Sequence, residues 1–192
     1  MNLDKIYGRE IARKYLCAKP LERKLLHSYC AGQFAYKVAL KILKTNSLPE
    51  YLDADLTGFL GCVHDIGVAR SQSKHELHTI DMLVEEGIGR DIARRTMHGQ
   101  MEEQYGDGDG RYLPVGIEGM ILTYADMTIL TGNPISMEQR CEEIKQRVSG
   151  AKKITPEQKE EIIVNLDKAM PRYKFYERII LRLADANSFR DF

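Results

Sequence analysis

The chain has 192 residues, 43% hydrophobic and 29% charged, enough to bury a full core, which excludes a disordered or fibrous protein. Its 28 Lys and Arg balance 28 Asp and Glu, so charge alone holds neither a nucleic-acid backbone nor an anionic membrane, and neither partner is expected. No apolar run nears the roughly 18 residues that span a bilayer, and the polar start Met1–Glu10 lacks a signal peptide's apolar stretch, so a soluble, cytoplasmic single domain over 1–192 is expected.

Apolar residues recur at spacings of three and four and strand-like alternation is scarce, so the pattern predicts an all-α bundle. A first helix is predicted over Asp4–Ala18, stopping before Pro20, and a second over Leu21–Lys44 with the stripe His27, Cys30, Ala31, Phe34, Val38, Ile42. After a loop at Asn46–Glu50, a third helix over Asp53–Asp65 ends at Gly67. Shorter helices follow over Lys74–Glu86 and Arg90–Gln100. Met101–Pro114 contains the glycine-rich stretch Tyr105-Gly-Asp-Gly-Asp-Gly-Arg111, read as a lid or rim; it lacks the spacing and glutamate of a calcium loop. A helix over Val115–Leu130 and another over Ser136–Val148 come next. The last starts at Thr155-Pro-Glu-Gln158, a capping box with proline at the first helical position, and is predicted to break near Pro171. No repeat or composition shift marks a domain boundary.

Cys17, Cys30, Cys62 and Cys141 form no CxxC pair and read as small hydrophobes in a reducing compartment. The histidines are more telling, because His27, His64, His75, His78 and His98 all fall in the first 98 residues. His64 and Asp65 are adjacent at the end of an apolar helix, where both can lean around the last turn toward one ion. Buried without a partner, such a pair is costly, which implies a metal or a dense hydrogen-bond network. His27 sits on the apolar stripe of the second helix. Asp126 has Leu122, Ile129 and Leu130 at its minus-four, plus-three and plus-four neighbours, and a carboxylate on an apolar face needs a cation. One inward histidine is as readily a hydrogen-bonded core residue. Four inward His and Asp positions favour a metal.

The ordered set His27, His64-Asp65, Asp126 resembles the signature of the HD-domain metal-dependent phosphohydrolase superfamily. Cys62-Val-His-Asp-Ile-Gly67 is similar to that family's apolar helix ending in His-Asp-Ile-Gly, Tyr124-Ala-Asp126 to its final Ala-Asp, and His27-Ser28 to its first histidine. The likeness spans about residues 21–130, an HD-type core on which helices over about 136–187 would pack. It implies hydrolysis of a phosphate ester or anhydride, with a nucleotide or similar small phosphorylated molecule as substrate. His27, His64, Asp65 and Asp126 would hold one divalent ion, with His64 and Asp65 at the catalytic centre. Aligning Leu83, Glu86-Gly87 and Ile92 on the pattern of relatives with two metals adds His75 and His98, with Asp65 as bridge. His78 is the rival of His75, and His98 could instead bind phosphate or act as an acid. Imidazole and carboxylate ligands suit Fe, Mn, Co, Ni or Zn, which lower the pKa of a bound water.

Two departures from the family pattern matter. Val68 stands where a lysine often follows the motif, so Arg70, Lys74, Arg94 or Arg95 would have to bind phosphate. His98-Gly-Gln and the interrupted Gly110-Arg-Tyr-Leu-Pro114 do not match the cyclic-di-GMP phosphodiesterase form of the domain. A di-iron oxygenase and a noncatalytic nucleotide sensor are the alternatives on the same scaffold.

Overall fold

A computed structural model describes residues 3–45, 52–130 and 132–192, and these are mostly helical; the loop expected at Asn46–Glu50 lies outside the described residues. Asp4 caps α1 (Lys5–Leu16) by accepting from the Ile6 and Tyr7 amides, and α2 (Glu22–Thr45) follows. α3 (Ala54–Val63), capped by Asp53, is buried between α1, α2 and α7. Its glycines explain how closely it crosses α2: a Cβ on Gly61 would stand 2.6 Å from the Gly32 Cα, and one on Gly32 would strike the Cys62 thiol. This near backbone contact brings the start of α2, with His27, against the end of α3, with His64.

A 3-10 turn at Ile66–Ala69 leads to α4 (His75–Glu85). Gly67 packs so tightly here that a Cβ would collide with the His75 carbonyl. The Gly67 amide donates to Thr79 Oγ1 at 2.9 Å, and that hydroxyl donates to the His64 carbonyl at 2.9 Å. The glycine of the motif thus seats the start of α4 beside Asp65.

The helix predicted over Arg90–Gln100 is corrected to one turn, α5 (Arg90–Ala93), then a 3-10 turn at Arg94–Thr96 and extended backbone at Met97. The Thr96 hydroxyl donates to the Ala93 carbonyl at 2.7 Å, competing with a continuing helix. The stretch read as a loop after Gln100 contains α6 (Met101–Tyr105). Its Glu102 carboxylate accepts the Gly110 and Tyr112 amides, so the glycine-rich segment is tied down.

α7 (Gly116–Thr128) ends two residues earlier than predicted, because Ile129–Leu130 (β1) pair antiparallel with Asn133–Pro134 (β2). Gly132, at φ +89°, provides the left-handed turn conformation between them. α8 (Met137–Gly150) and α9 (Pro156–Leu183) both open with capping boxes, Ser136/Gln139 and Thr155/Gln158. The break expected near Pro171 does not occur. An interior proline costs about 3 kcal/mol or more, but its ring is exposed while Leu166, Ala169, Tyr173, Tyr176 and Ile180 are buried on both sides of it. At roughly 1.5–3 kcal/mol per buried large apolar side chain, that stripe outweighs the proline.

Two apolar clusters form the interior, one among α2, α7, α8 and α9 and one among α1, α3 and α4. The His and Asp residues lie where α2, α3 and α7 meet. Among the described residues, no helix is long and apolar enough to cross a membrane.

Candidate metal centre

His27 and Asp126 project from α2 and α7 and meet with Nε2 and Oδ1 2.7 Å apart. His64 caps the end of α3. Its Nδ1 lies 2.8 Å from the Gly61 carbonyl, an acceptor only, so Nδ1 carries a proton and Nε2 faces inward. That Nε2 is buried and has no hydrogen-bond partner; Asp65 Oδ2 and Asp126 Oδ1 stand 3.5 Å away. His98 repeats the arrangement, its Nδ1 donating to the Thr96 carbonyl at 2.7 Å. The rings of His64 and His98 cross edge to face with centroids 4.8 Å apart.

Asp65 lies between the two sides. Oδ1 is 3.2 Å from His75 Nε2, while Oδ2 faces His64 and accepts Lys24 Nζ at 2.7 Å. Ligand atoms fall within 4.8 Å of one another in three sets: His27, His64 and Asp126; His64, Asp65 and His98; His75, Glu76 and His98. His75 is thus in the cluster, and His78 is in none of these sets.

The cluster holds three carboxylates, Asp65, Glu76 and Asp126, with Lys24 paired to Asp65, His75 against Asp65 and Glu76, and His64 between Asp65 and Asp126. Burial opposes a charge on His64, but Asp65 and Asp126 prevail and raise its pKa. Burial opposes ionisation of Asp65, but Lys24 and His64 outweigh it and hold the carboxyl well below the usual carboxylate range; His27 and His64 do the same for Asp126. Burial lowers the pKa of His98, and the neighbouring His64 lowers it further, leaving a neutral imidazole suited to ligation. His75 behaves oppositely: burial pulls its pKa down, but the bond to Asp65 prevails and raises it to about 9. An inward Nε2 on His64 with no hydrogen-bond partner, a like-disposed His98 and carboxylates within ligand distance of both are what a divalent transition metal satisfies.

The four cationic residues expected to bind phosphate have other partners. Arg70 pairs with Glu85, Lys74 lies over the Tyr105 ring, Arg94 donates to the Arg111 carbonyl, and Arg95 pairs with Glu118. The cation that does reach the cluster, Lys24, was missed, as was Glu76. Both had a legible signal. Lys24 stands three residues before His27 and seven before Ala31, on the same face of α2, and Glu76 precedes Ile80 and Leu83 by four and seven, a carboxylate on an apolar stripe.

In comparisons with known proteins, the chain matches no family model, no curated protein and no solved structure.

Proposed function

We propose that the chain is an HD-type metal-dependent phosphohydrolase that cleaves a phosphate ester or anhydride of a nucleotide or similar small molecule. The observation that carries this reading is the buried Nε2 of His64, which has no hydrogen-bond partner, at the junction of two ligand sets and 3.5 Å from the carboxylates of Asp65 and Asp126. The motif resemblance over about residues 21–130 supplies the reaction class, and fold analogy alone would not.

His27, His64, Asp65 and Asp126 would hold the first ion, and His75 and His98, with Glu76 in reach, the second. A divalent ion bound there supplies a water of lowered pKa and a Lewis acid for the phosphoryl oxygen. The chain's own residues do the rest. The Gly61 and Thr96 carbonyls hold His64 and His98 in the tautomer that presents Nε2. Asp65 offers one oxygen to each side. Lys24 uses one of three N–H donors on Asp65 and keeps about a third of its side chain open to solvent, so it can meet a phosphoryl oxygen while staying anchored. It occupies the role that Val68 leaves vacant in the motif. Arg70, Lys74, Arg94 and Arg95 are left to outer contacts with a longer substrate.

The test is metal analysis of protein purified without chelators, followed by phosphate release across nucleotides and small phosphate esters. One or two equivalents of Fe, Mn, Co, Ni or Zn and metal-dependent phosphate release are expected. Dioxygen consumption without phosphate release would instead favour the di-iron oxygenase, and bound nucleotide without turnover the sensor.

A further inference from the structure

We infer that Arg172, on α9 and outside the residues that carry the motif resemblance, is a positioning residue for His98. The functional consequence rests on the proposed metal centre; the clamp itself rests on the geometry of the chain alone.

His98 lies on no helix. It follows the 3-10 turn at Arg94–Thr96 and the extended Met97, and its ring bond to the Thr96 carbonyl at 2.7 Å is made across that irregular backbone, so it lasts only while the turn keeps its shape. The next residue, Gly99, is gripped from both sides. Its amide donates to Glu76 Oε1 at 3.0 Å, and its carbonyl accepts from Arg172 Nη2 at 2.9 Å. A side chain at position 99 would meet the Glu76 carboxylate and have to push it out of this bond.

Arg172 is itself immobilised. Its Nε and Nη2 donate to the two oxygens of Glu103 at 3.0 and 2.8 Å, a fork-to-fork pair, and its guanidinium lies 4.9 Å from the Tyr173 ring centroid. Both side chains of the pair are less than 15% exposed. Nη2 thus ties the turn at Gly99 to α6 through both of its N–H groups. Lysine has no planar fork and cannot reproduce this. Nor is the arrangement optimal for stability, since Nη1 is buried without a hydrogen-bond partner. Fixing the turn that carries His98 accounts for a buried cation in this place, and it makes the C-terminal helix part of the metal centre.

Imidazole 15N shifts of the metal-free protein, in the wild type and in Arg172→Met, Arg172→Lys and Glu103→Gln, test the clamp without metal or activity. At a pH high enough for both rings to be neutral, the wild type should show His64 and His98 each in one tautomer with the proton on Nδ1. In Arg172→Met the His98 signals should move to tautomer-averaged values while those of His64, held by Gly61, stay; the lysine and glutamine variants should fall between. If Arg172→Met does not fold, the other two carry the comparison. Unchanged His98 signals, or equal changes at His64 and His98, would overturn the assignment. A metal titration adds the consequence: in these variants the second equivalent should bind about tenfold more weakly with the first within twofold. A wild type that binds no metal would sink the proposed function while leaving the NMR result to decide the clamp.

Discussion

His64 and His98 face each other across the cluster, yet the chain brings them there by different means. His64 ends a helix whose backbone touches that of α2 through Gly32 and Gly61, and His27 and Asp126 stand on regular helices packed against it. His98 sits on a broken helix, its ring bonded to the Thr96 carbonyl and the next residue, Gly99, bonded to Glu76 and Arg172. Close packing has little freedom to relax, whereas hydrogen bonds and ion pairs depend on charge state and pH. One half of the centre should therefore respond to volume and the other to protonation.

The largest effect should come from removing the residue at the junction of two ligand sets. His64→Ala takes a ligand from the first ion, so metal-dependent turnover should fall to background and the first equivalent be lost, while circular dichroism stays helical. Wild-type metal content in this variant would break the assignment at its centre.

Next is the packing half. Gly61→Ala places a methyl 2.6 Å from the Gly32 Cα. Overpacking of this kind costs about 1–3 kcal/mol, and for a chain of this size the melting temperature should drop roughly 2–4 °C per kcal/mol. The first metal equivalent should weaken more than the second. The opposite order, read by metal titration, would mean that packing does not govern the His64 side.

The protonation half has a defined sign. In the metal-free protein His75 titrates near 9 against an ordinary 6.5, so its bond to Asp65 contributes fully below about pH 6.5 and is lost as pH rises through about 9. A metal must displace that proton. The affinity of the second equivalent should therefore rise with pH up to about 9 with release of one proton, measurable by calorimetry in buffers of different ionisation enthalpy. Asp65 and Asp126, held low, act in the other direction and lose their contribution only in acid. An affinity flat between pH 6.5 and 9 would remove His75 from the second set.

The smallest expected effects separate the cations. Lys24→Met should lower kcat/KM by about tenfold, the worth of one charge-assisted hydrogen bond. Arg70→Ala should change it less than about twofold, because an exposed pair with Glu85 contributes little. Equal losses in the two variants would return phosphate binding to the residues that follow the motif.

The helical class, the capping box at Thr155 and the inward faces of His27 and Asp126 were determined by the sequence itself. Each depends on the local period of the chain or on a side chain bonding a backbone group three residues away. The glycine after His64-Asp65-Ile66 was visible too, but its purpose was not: only the fold shows the His75 carbonyl lying where a Cβ would be. The same holds for Pro171. Its local cost is readable from one residue, while the stripe that keeps α9 continuous gains its energy from α2, α7 and α8, earlier in the chain. His98 is the sharpest case. Periodicity put it on a helix, and in the tertiary structure the turn that carries it is bonded through Gly99 to Glu76 and Arg172, 23 residues before Gly99 and 73 after. Local pattern fixes what a segment can be. Which alternative it adopts at a polar, buried site is decided by partners that sequence separation hides.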